Sequence, residues 1–393
     1  MANVKYVKVK NPERYKTKVR MDNKKLRQAL DAALKKIDRL IIDMDGDFPD
    51  HSSENNIYKP VKNTEGWNTG FWCGMLWLAY EATENEKYRN AAEKLLDSFY
   101  KRIDEKLGIE THDLGFIYVP SCVAAYKLTG NETAKEAALT AADCLLERYN
   151  EKGKYIQAWG RAGENLRLIV DCMNNIPLLF WASEVTNNKK YYDIACKHAY
   201  TTIKYAVRED ASSYHTYLFK EDGSPVRGCT EQGASDDSCW ARGQAWLVSG
   251  LPILYKYTRD KGVVKLFQSV ANYYLNHLPD DFVPYWDLGF NKYDNCNEEK
   301  DSSAAAIVVC GLLEMLPFVT DEDRVVYEGA VDNILLSLFE NYSTKDMDES
   351  NGLLLHAVYS KPGNCGVDEC NIWGCYYYME ALVRMIKGTK AYW

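Results

Sequence analysis

Lys127-Leu128-Thr129-Gly130-Asn131 ends one apolar helical pattern and opens the next amphipathic run, and the same kind of turn recurs along the chain. Equivalents stand at Tyr80-Glu81-Ala82-Thr83-Glu84-Asn85, Glu184-Val185-Thr186-Asn187-Asn188, Lys256-Tyr257-Thr258-Arg259-Asp260, Phe318-Val319-Thr320-Asp321-Glu322 and Lys387-Gly388-Thr389. A tight Thr/Asn/Asp turn between two such patterns closes a helical hairpin and caps the helix that follows. The threonines at 83, 129, 186, 258, 320 and 389 are 46 to 72 residues apart, so each of six units is a helix pair plus a loop of variable length. The patterns predict helices over 23–44, 67–82, 86–105, 115–129, 132–149, 171–186, 188–208, 238–258, 261–277, 301–319, 321–340 and 371–388. Six precede a Thr turn, are rich in Gly, Ala, Ser, Cys and Trp, and are apolar on most faces. The other six carry Lys and Glu at helical spacing and so have a solvated face. Twelve alternating inner and outer helices predict an all-α fold, an (α/α)6 barrel. Six units favour closure over an open α-solenoid.

The barrel then occupies 23–393 as one domain, behind an N-terminal extension over 1–22 to which the sequence assigns no role. Its 46% hydrophobic and 26% charged residues exclude a disordered or low-complexity chain. A net charge of -8 argues against broad nucleic-acid binding and requires a local basic pocket for any anionic ligand. The first residues alternate Val and Lys without the apolar block of a secretory signal, and no stretch is long enough to span a membrane. A cytoplasmic location is expected, with the protein a monomer or weak homo-oligomer. The 12 Cys are scattered through apolar stretches, as reduced thiols are, and the spacing of Cys365, Cys370 and Cys375 is not that of a metal site.

Loop lengths give the barrel polarity. The Thr turns are short, whereas about 45–66, 150–170, 209–237, 278–300 and 341–370 lead into inner helices, so function belongs at the end where inner helices begin. Those starts read GWNTGFW (from Gly66), HDLGF (His112), DCMNN (Asp171), SDDSCWARGQAW (Ser235), DSSAA (Asp301) and DECNIWG (Asp368). Asp236, Asp237, Asp301 and Asp368 read as helix N-caps. Asp113 and Asp171 have apolar neighbours. A carboxyl in such a basin has its charged form disfavoured, and a second carboxylate raises one pKa further, which prepares a proton donor. Paired carboxylates serve glycoside chemistry. Trp67, Trp72, Trp240, Trp246 and Trp373 gather at the same starts, where flat rings suit sugar faces. Arg242 among them is a candidate carboxylate receptor through its planar fork, and His215 a candidate donor.

HDLGF, the Asp171 segment, Gly228-Cys-Thr-Glu-Gln232-Gly233 and above all Ser235-Asp-Asp-Ser-Cys-Trp-Ala-Arg-Gly-Gln-Ala-Trp246 resemble glycoside hydrolase family 88, the unsaturated glucuronyl hydrolases, from about Gly66 to Glu380. The resemblance implies an (α/α)6 barrel that needs no metal or other cofactor. The substrate it implies is a lyase-generated di- or oligosaccharide bearing a Δ4,5-unsaturated uronic acid at its non-reducing end. It makes Asp171 the general acid/base and Asp113 its partner in hydrating the ring double bond, with His112, His215, Gln232, Trp240, Arg242 and Trp246 holding the sugar; Trp72 is added as a wall. A related family acts on unsaturated rhamnogalacturonan products, but Gln244-Ala245 after Arg242-Gly243 looks more like the glucuronyl group. Some members place serines and a Lys in the loop Ser360 to Asp368 to receive sulfate. Here Asn364 and Cys365 stand at the expected serine positions, which weighs against sulfated pieces. A sugar 2-epimerase on the same barrel would use a histidine pair, with only His112 and His215 near the rim and His356 as a third. A non-catalytic carbohydrate-binding barrel would keep the Trp rim without two apolar-flanked carboxyls.

Overall fold

The computed structural model describes residues 4–16, 20–64, 66–292 and 296–393. Its inner helices are α2 (Thr69–Thr83), α4 (Leu114–Tyr118) continued as α5 (Ala124–Thr129), α7 (Pro177–Thr186), α9 (Ala241–Thr258), α11 (Ser302–Met315) and α13 (Ile372–Lys387). The outer ones are α1 (Asn23–Met44), α3 (Glu86–Asp104), α6 (Glu132–Glu147), α8 (Lys189–Ala206), α10 (Lys261–Asn276) and α12 (Asp321–Ser337). One π turn, Val119–Val123, joins α4 to α5, where Pro120 lacks the N–H an α turn needs. The twelve expected helices are therefore present, the second inner one in two pieces.

The ring is closed: α13 packs against both α11 and α2, which excludes an open solenoid. Close packing of inner helices requires small residues, and a glycine sits at every joint of the ring. A Cβ on Gly115 would meet the Asn175 Cα at 2.3 Å, and one on Gly311 the Val248 carbonyl oxygen at 2.4 Å; Gly70, Gly74, Gly250 and Gly374 fill the other joints.

The Thr turns have a common structure that refines the expectation. The Thr83, Thr129, Thr186 and Thr258 hydroxyls donate back to the carbonyl four residues earlier, at 2.6–2.8 Å, and so finish the inner helix. The residue after each takes the left-handed conformation, φ 56 to 72°. The next residue, Asn85, Asn131, Asn188 or Asp260, is the true N-cap of the outer helix. Only at Thr320 does the threonine itself cap.

Of the extension, residues 1–3 and 17–19 lie outside the described residues. The rest straps the outer wall: Asn272 Nδ2 donates to the Val7 carbonyl (2.9 Å) and the Tyr15 hydroxyl to the Leu275 carbonyl (2.7 Å). Gly329 of α12 lets the Tyr15 backbone pass, since a Cβ there would lie 1.5 Å from its oxygen. At the Thr-turn end Trp393 enters the axis, stacked on Tyr377 and edge-on to Phe116, which in turn touches Trp67 and Trp246. Aromatic rings thus fill the axis as well as its mouth, more than the rim expectation allowed.

At the opposite end the long loops form short antiparallel sheets: β1 (Phe48–Pro49) with β2 (Pro60–Val61), β3 (Tyr149–Asn150) with β4 (Tyr155–Ile156), β6 (Thr216–Phe219) between β5 (Arg167–Ile169) and β7 (Pro225–Cys229), and β8 (Ala357–Ser360) with β9 (Cys365–Glu369).

Candidate active site

A cavity of about 330 Å³ opens at this long-loop end, with Asp113 and Asp171 in its wall. Backbone pairing positions both. Thr111 bridges Trp159 and the His112 N–H donates to the Ala158 carbonyl (3.1 Å), which fixes the start of α4. Ile169 pairs with Thr216, and the Val170 N–H donates to the His215 carbonyl (3.0 Å), so Asp171 emerges beside His215. Asp171 stands on a 3-10 turn, Val170–Asn174, ahead of α7 and not on the predicted helix, because Pro177 is where α7 can begin. Gly115 lets α4 lie against Asn175, whose Oδ1 accepts from the Phe116 N–H at 2.7 Å.

Between the carboxyls lies His112, its Nε2 3.3 Å from Asp113 Oδ1 and 3.4 Å from Asp171 Oδ1. Thr111 Oγ1 donates to Asp113 Oδ2 at 2.5 Å, and Asn175 Nδ2 lies 3.5 Å from Oδ1. Burial opposes the charge on Asp113, but the His112 ring and these donors outweigh it and hold the carboxyl below its ordinary value. Among the described residues Asp171 has no such side-chain donors. Burial, joined by the Asp113 charge and resisted by His112 and Arg242, pushes it up to about 7. Burial also disfavours a charged His112, yet the two carboxyls raise it well above its usual value. Two carboxyls with pKa values driven apart are the mark of an acid and a charged partner.

His215, Gln232, Trp240, Arg242 and Trp246 all line the same cavity, as expected. Trp240 supports two of them, with the His215 ring 4.3 Å and the Arg242 guanidinium 4.5 Å from its own. His215 Nδ1 accepts the Glu231 N–H (3.1 Å), so the neutral ring carries its proton on Nε2. Burial, with Arg242 and Arg167 nearby, pushes its pKa down to about 3 and keeps it neutral. Gln232 Nε2 donates to the Tyr359 carbonyl at 3.1 Å.

Several expectations are corrected. Trp72 faces outward into a separate cavity between α1 and α3, because helical spacing turns it away from the axis, and Trp67 takes its place. His112 is fully buried behind the carboxyls and does not line the cavity. Arg242 does not present a free fork: Nη1 donates to Asp301 Oδ2 (2.8 Å) and to the Val358 carbonyl, and Nη2 to the Tyr359 carbonyl (2.6 Å). Of the four presumed caps only Asp301 caps, through the Ser303 N–H; Asp236 binds Arg227 and the Thr230 N–H, Asp237 caps no helix, and Asp368 binds His356. With His356 outside the cavity, the histidine set of an epimerase is not assembled.

Trp159, Glu231 and Tyr359 are wall residues without a sequence signal, since all three sit in loops or short strands that a helical period does not register. Asp287, behind the wall, is equally without a sequence signal: its buried carboxylate accepts from the Ala234 N–H and the Ser238 hydroxyl and ties down the segment leading to Trp240. His112, Asp113 and Asp171 bring one ligand atom each within 4.8 Å of one another. Two carboxyls with a protonated imidazole wedged between them fit proton handling better than an ion cage, which needs a fuller shell of deprotonated ligands.

A closed double ring of helices, with two opposed carboxyls in an aromatic-walled cavity at its loop end, defines an enzyme of the glycoside hydrolase class. The sequence model of Glycosyl Hydrolase Family 88 matches residues 40–318, and the chain belongs to that family. An unsaturated chondroitin disaccharide hydrolase of Streptococcus pneumoniae is 46% identical over 391 residues, 98% of each chain. An unsaturated glucuronyl hydrolase of a Bacillus species is 38% identical over 352 residues, 88% of this chain and 93% of the other. The crystal structure of unsaturated glucuronyl hydrolase from Streptococcus agalactiae matches with a TM-score of 0.96 and 44% identity over 99% of each chain. A mutant of it complexed with dGlcA-GalNAc6S matches at 0.89. The resemblance read from the sequence and the (α/α)6 barrel are both borne out.

Proposed function

We propose that this hydrolase removes the Δ4,5-unsaturated glucuronic acid from the non-reducing end of lyase-generated oligosaccharides of chondroitin type, with Asp171 as general acid/base and Asp113 as its charged partner. The observation that carries this is the pair itself, Asp171 poised near neutrality beside an ionised Asp113. Protonated Asp171 gives its proton to C4 of the C4=C5 double bond, and the ring oxygen shares the positive charge left at C5. Asp113 stabilises that charge. The Asp171 carboxylate then takes a proton from water as its oxygen bonds to C5. The hemiketal opens to a C5 ketone, which leaves C1 a hemiacetal that expels the remaining sugar as an alcohol. His215 Nε2–H and Gln232 serve as donors to the sugar, Trp67, Trp240, Trp246 and Trp159 as its walls, and Arg242 as the charge facing its carboxylate.

Beyond the uronate, the wall of Ser360, Gly363 and Cys365 offers no free cation, Lys361 being ion-paired with Glu299, and the Glu231 carboxylate is already neutralised by Arg167 at 2.6 Å. These features support a preference for unsulfated pieces. Twelve unpaired cysteines support a cytoplasmic location. No helix among the described residues is long and apolar enough to cross a membrane. Hydration destroys the ultraviolet absorbance of the conjugated double bond, so the enzyme should bleach an unsaturated chondroitin disaccharide. No absorbance loss on chondroitin, hyaluronan, heparin or gellan fragments would overturn the assignment.

A further inference from the structure

Arg242 is almost wholly enclosed, with its guanidinium between Trp240 (4.5 Å) and Trp373 (5.1 Å). A buried cation of this kind needs a counter-charge and hydrogen-bond acceptors, and its counter-charge comes from outside the cavity. Asp301, itself fully buried at the start of α11, places Oδ2 2.8 Å from Nη1. Its other oxygen accepts from the Ser303 N–H (3.1 Å) and the Ser303 hydroxyl (2.5 Å), and that hydroxyl in turn receives the Trp373 Nε1–H at 3.0 Å. One carboxylate therefore anchors the guanidinium and, through Ser303, one of the two rings that enclose it. Asp301 does not line the cavity and cannot touch the sugar.

We propose that Asp301 is a positioning residue for the reaction: it fixes the plane of the Arg242 guanidinium toward the substrate carboxylate and offsets enough of its charge for Asp171 to keep its proton. The inference rests on the roles given above to Arg242 and Asp171. The charged groups around this unit are few. Arg242 is faced by Asp301 from α11, Tyr359 from β8, and Asp171, and its charge is felt by His215; Asp171 is faced by His112, Asp113 and Arg242. Without the Asp301 charge, an uncompensated guanidinium would favour ionised Asp171 and weaken it as an acid.

The test is steady-state kinetics on an unsaturated disaccharide across a pH series with Asp301→Asn and Asp301→Glu, each first shown to be folded by circular dichroism and melting. In Asp301→Asn the amide oxygen keeps the Ser303 cap and turns its NH2 against Nη1, so donor faces donor. KM should rise about tenfold, the loss of one charge-assisted hydrogen bond, and the alkaline limb of kcat should move to lower pH by about half a unit or more. A merely structural role would lower the active fraction without moving the limb. Asp301→Glu keeps the charge with a displaced oxygen, so the limb should return to the wild-type position while KM stays raised; it also serves if the Asn variant does not fold. A folded Asp301→Asn with wild-type KM and an unmoved limb overturns the proposal, as does an Asp301→Glu with wild-type KM. Asp171→Asn run alongside separates the two levels: retained turnover there sinks the Asp171 assignment itself, whereas lost turnover with unaffected Asp301 variants sinks only this inference.

Discussion

The Thr111 hydroxyl is the nearest donor to Asp113, at 2.5 Å from Oδ2, and its removal by Thr111→Val keeps the side-chain shape. A hydrogen bond to a charged acceptor contributes about 1.5–3 kcal/mol, and one pKa unit corresponds to about 1.4 kcal/mol. The variant should therefore raise the Asp113 pKa by ~1–2 units. In the wild type Asp113 is held below the ordinary carboxylate value, so it stays ionised into acid and its limb in the profile of kcat/KM against pH lies low. In Thr111→Val that acid limb should rise by ~1–2 units, while the alkaline limb, set by Asp171 near 7, stays in place as an internal control. Stability should follow the same sign. A carboxyl with a depressed folded pKa contributes stability above its unfolded pKa, and the contribution disappears as pH falls through the folded value. Thr111→Val should thus melt lower than wild type at neutral pH, by about 1–3 kcal/mol, with the gap closing in acid. Initial rates of absorbance loss over a pH series make the measurement. An acid limb that coincides with wild type in a folded variant would refute the idea that donors to Asp113 hold it charged.

Trp67→Ala should raise KM about tenfold, as expected for a lost sugar-stacking ring, while Trp72→Phe, on the far side of the wall, should leave kcat and KM at wild-type values in the same assay. Gly115→Ala puts a methyl group 2.3 Å from the Asn175 Cα, so the two carboxyl-bearing segments must part. Calorimetry should show a loss of about 1–3 kcal/mol, with kcat falling more than melting alone explains. Exhaustive treatment with a chelator should leave turnover unchanged; loss restored by one divalent cation would turn the trio of His112, Asp113 and Asp171 into a metal site.

Periodicity and turn chemistry made the fold readable because the barrel repeats them six times. Thr129-Gly130-Asn131 contains a helix stop, a left-handed residue and a helix start in three letters, and the turns at Thr83, Thr186 and Thr258 differ from it only in detail. The starts of the inner helices are equally visible, which is why the sequence alone brings Asp113, Asp171, Trp240 and Trp246 to one basin. Direction was not visible. Trp67 and Trp72 stand five residues apart at the same helix start, and only the packed ring shows that one faces the cavity and the other the outer wall. Long-range pairing was also hidden. Nothing local to Arg242 announces Asp301, 59 residues away, or the carbonyls of Val358 and Tyr359. Trp159 escaped for a related reason, since its place beside Asp113 depends on a single bridge to Thr111.

The account rests on Asp171 as the proton donor to C4. Its most direct test is the rate of ultraviolet absorbance loss by Asp171→Asn on saturating unsaturated disaccharide, with binding verified by calorimetry. The side chain keeps its size and loses its proton, so the variant should bind substrate and turn over ~100–10,000-fold more slowly than wild type. Bound substrate bleached at a rate near wild type would contradict it.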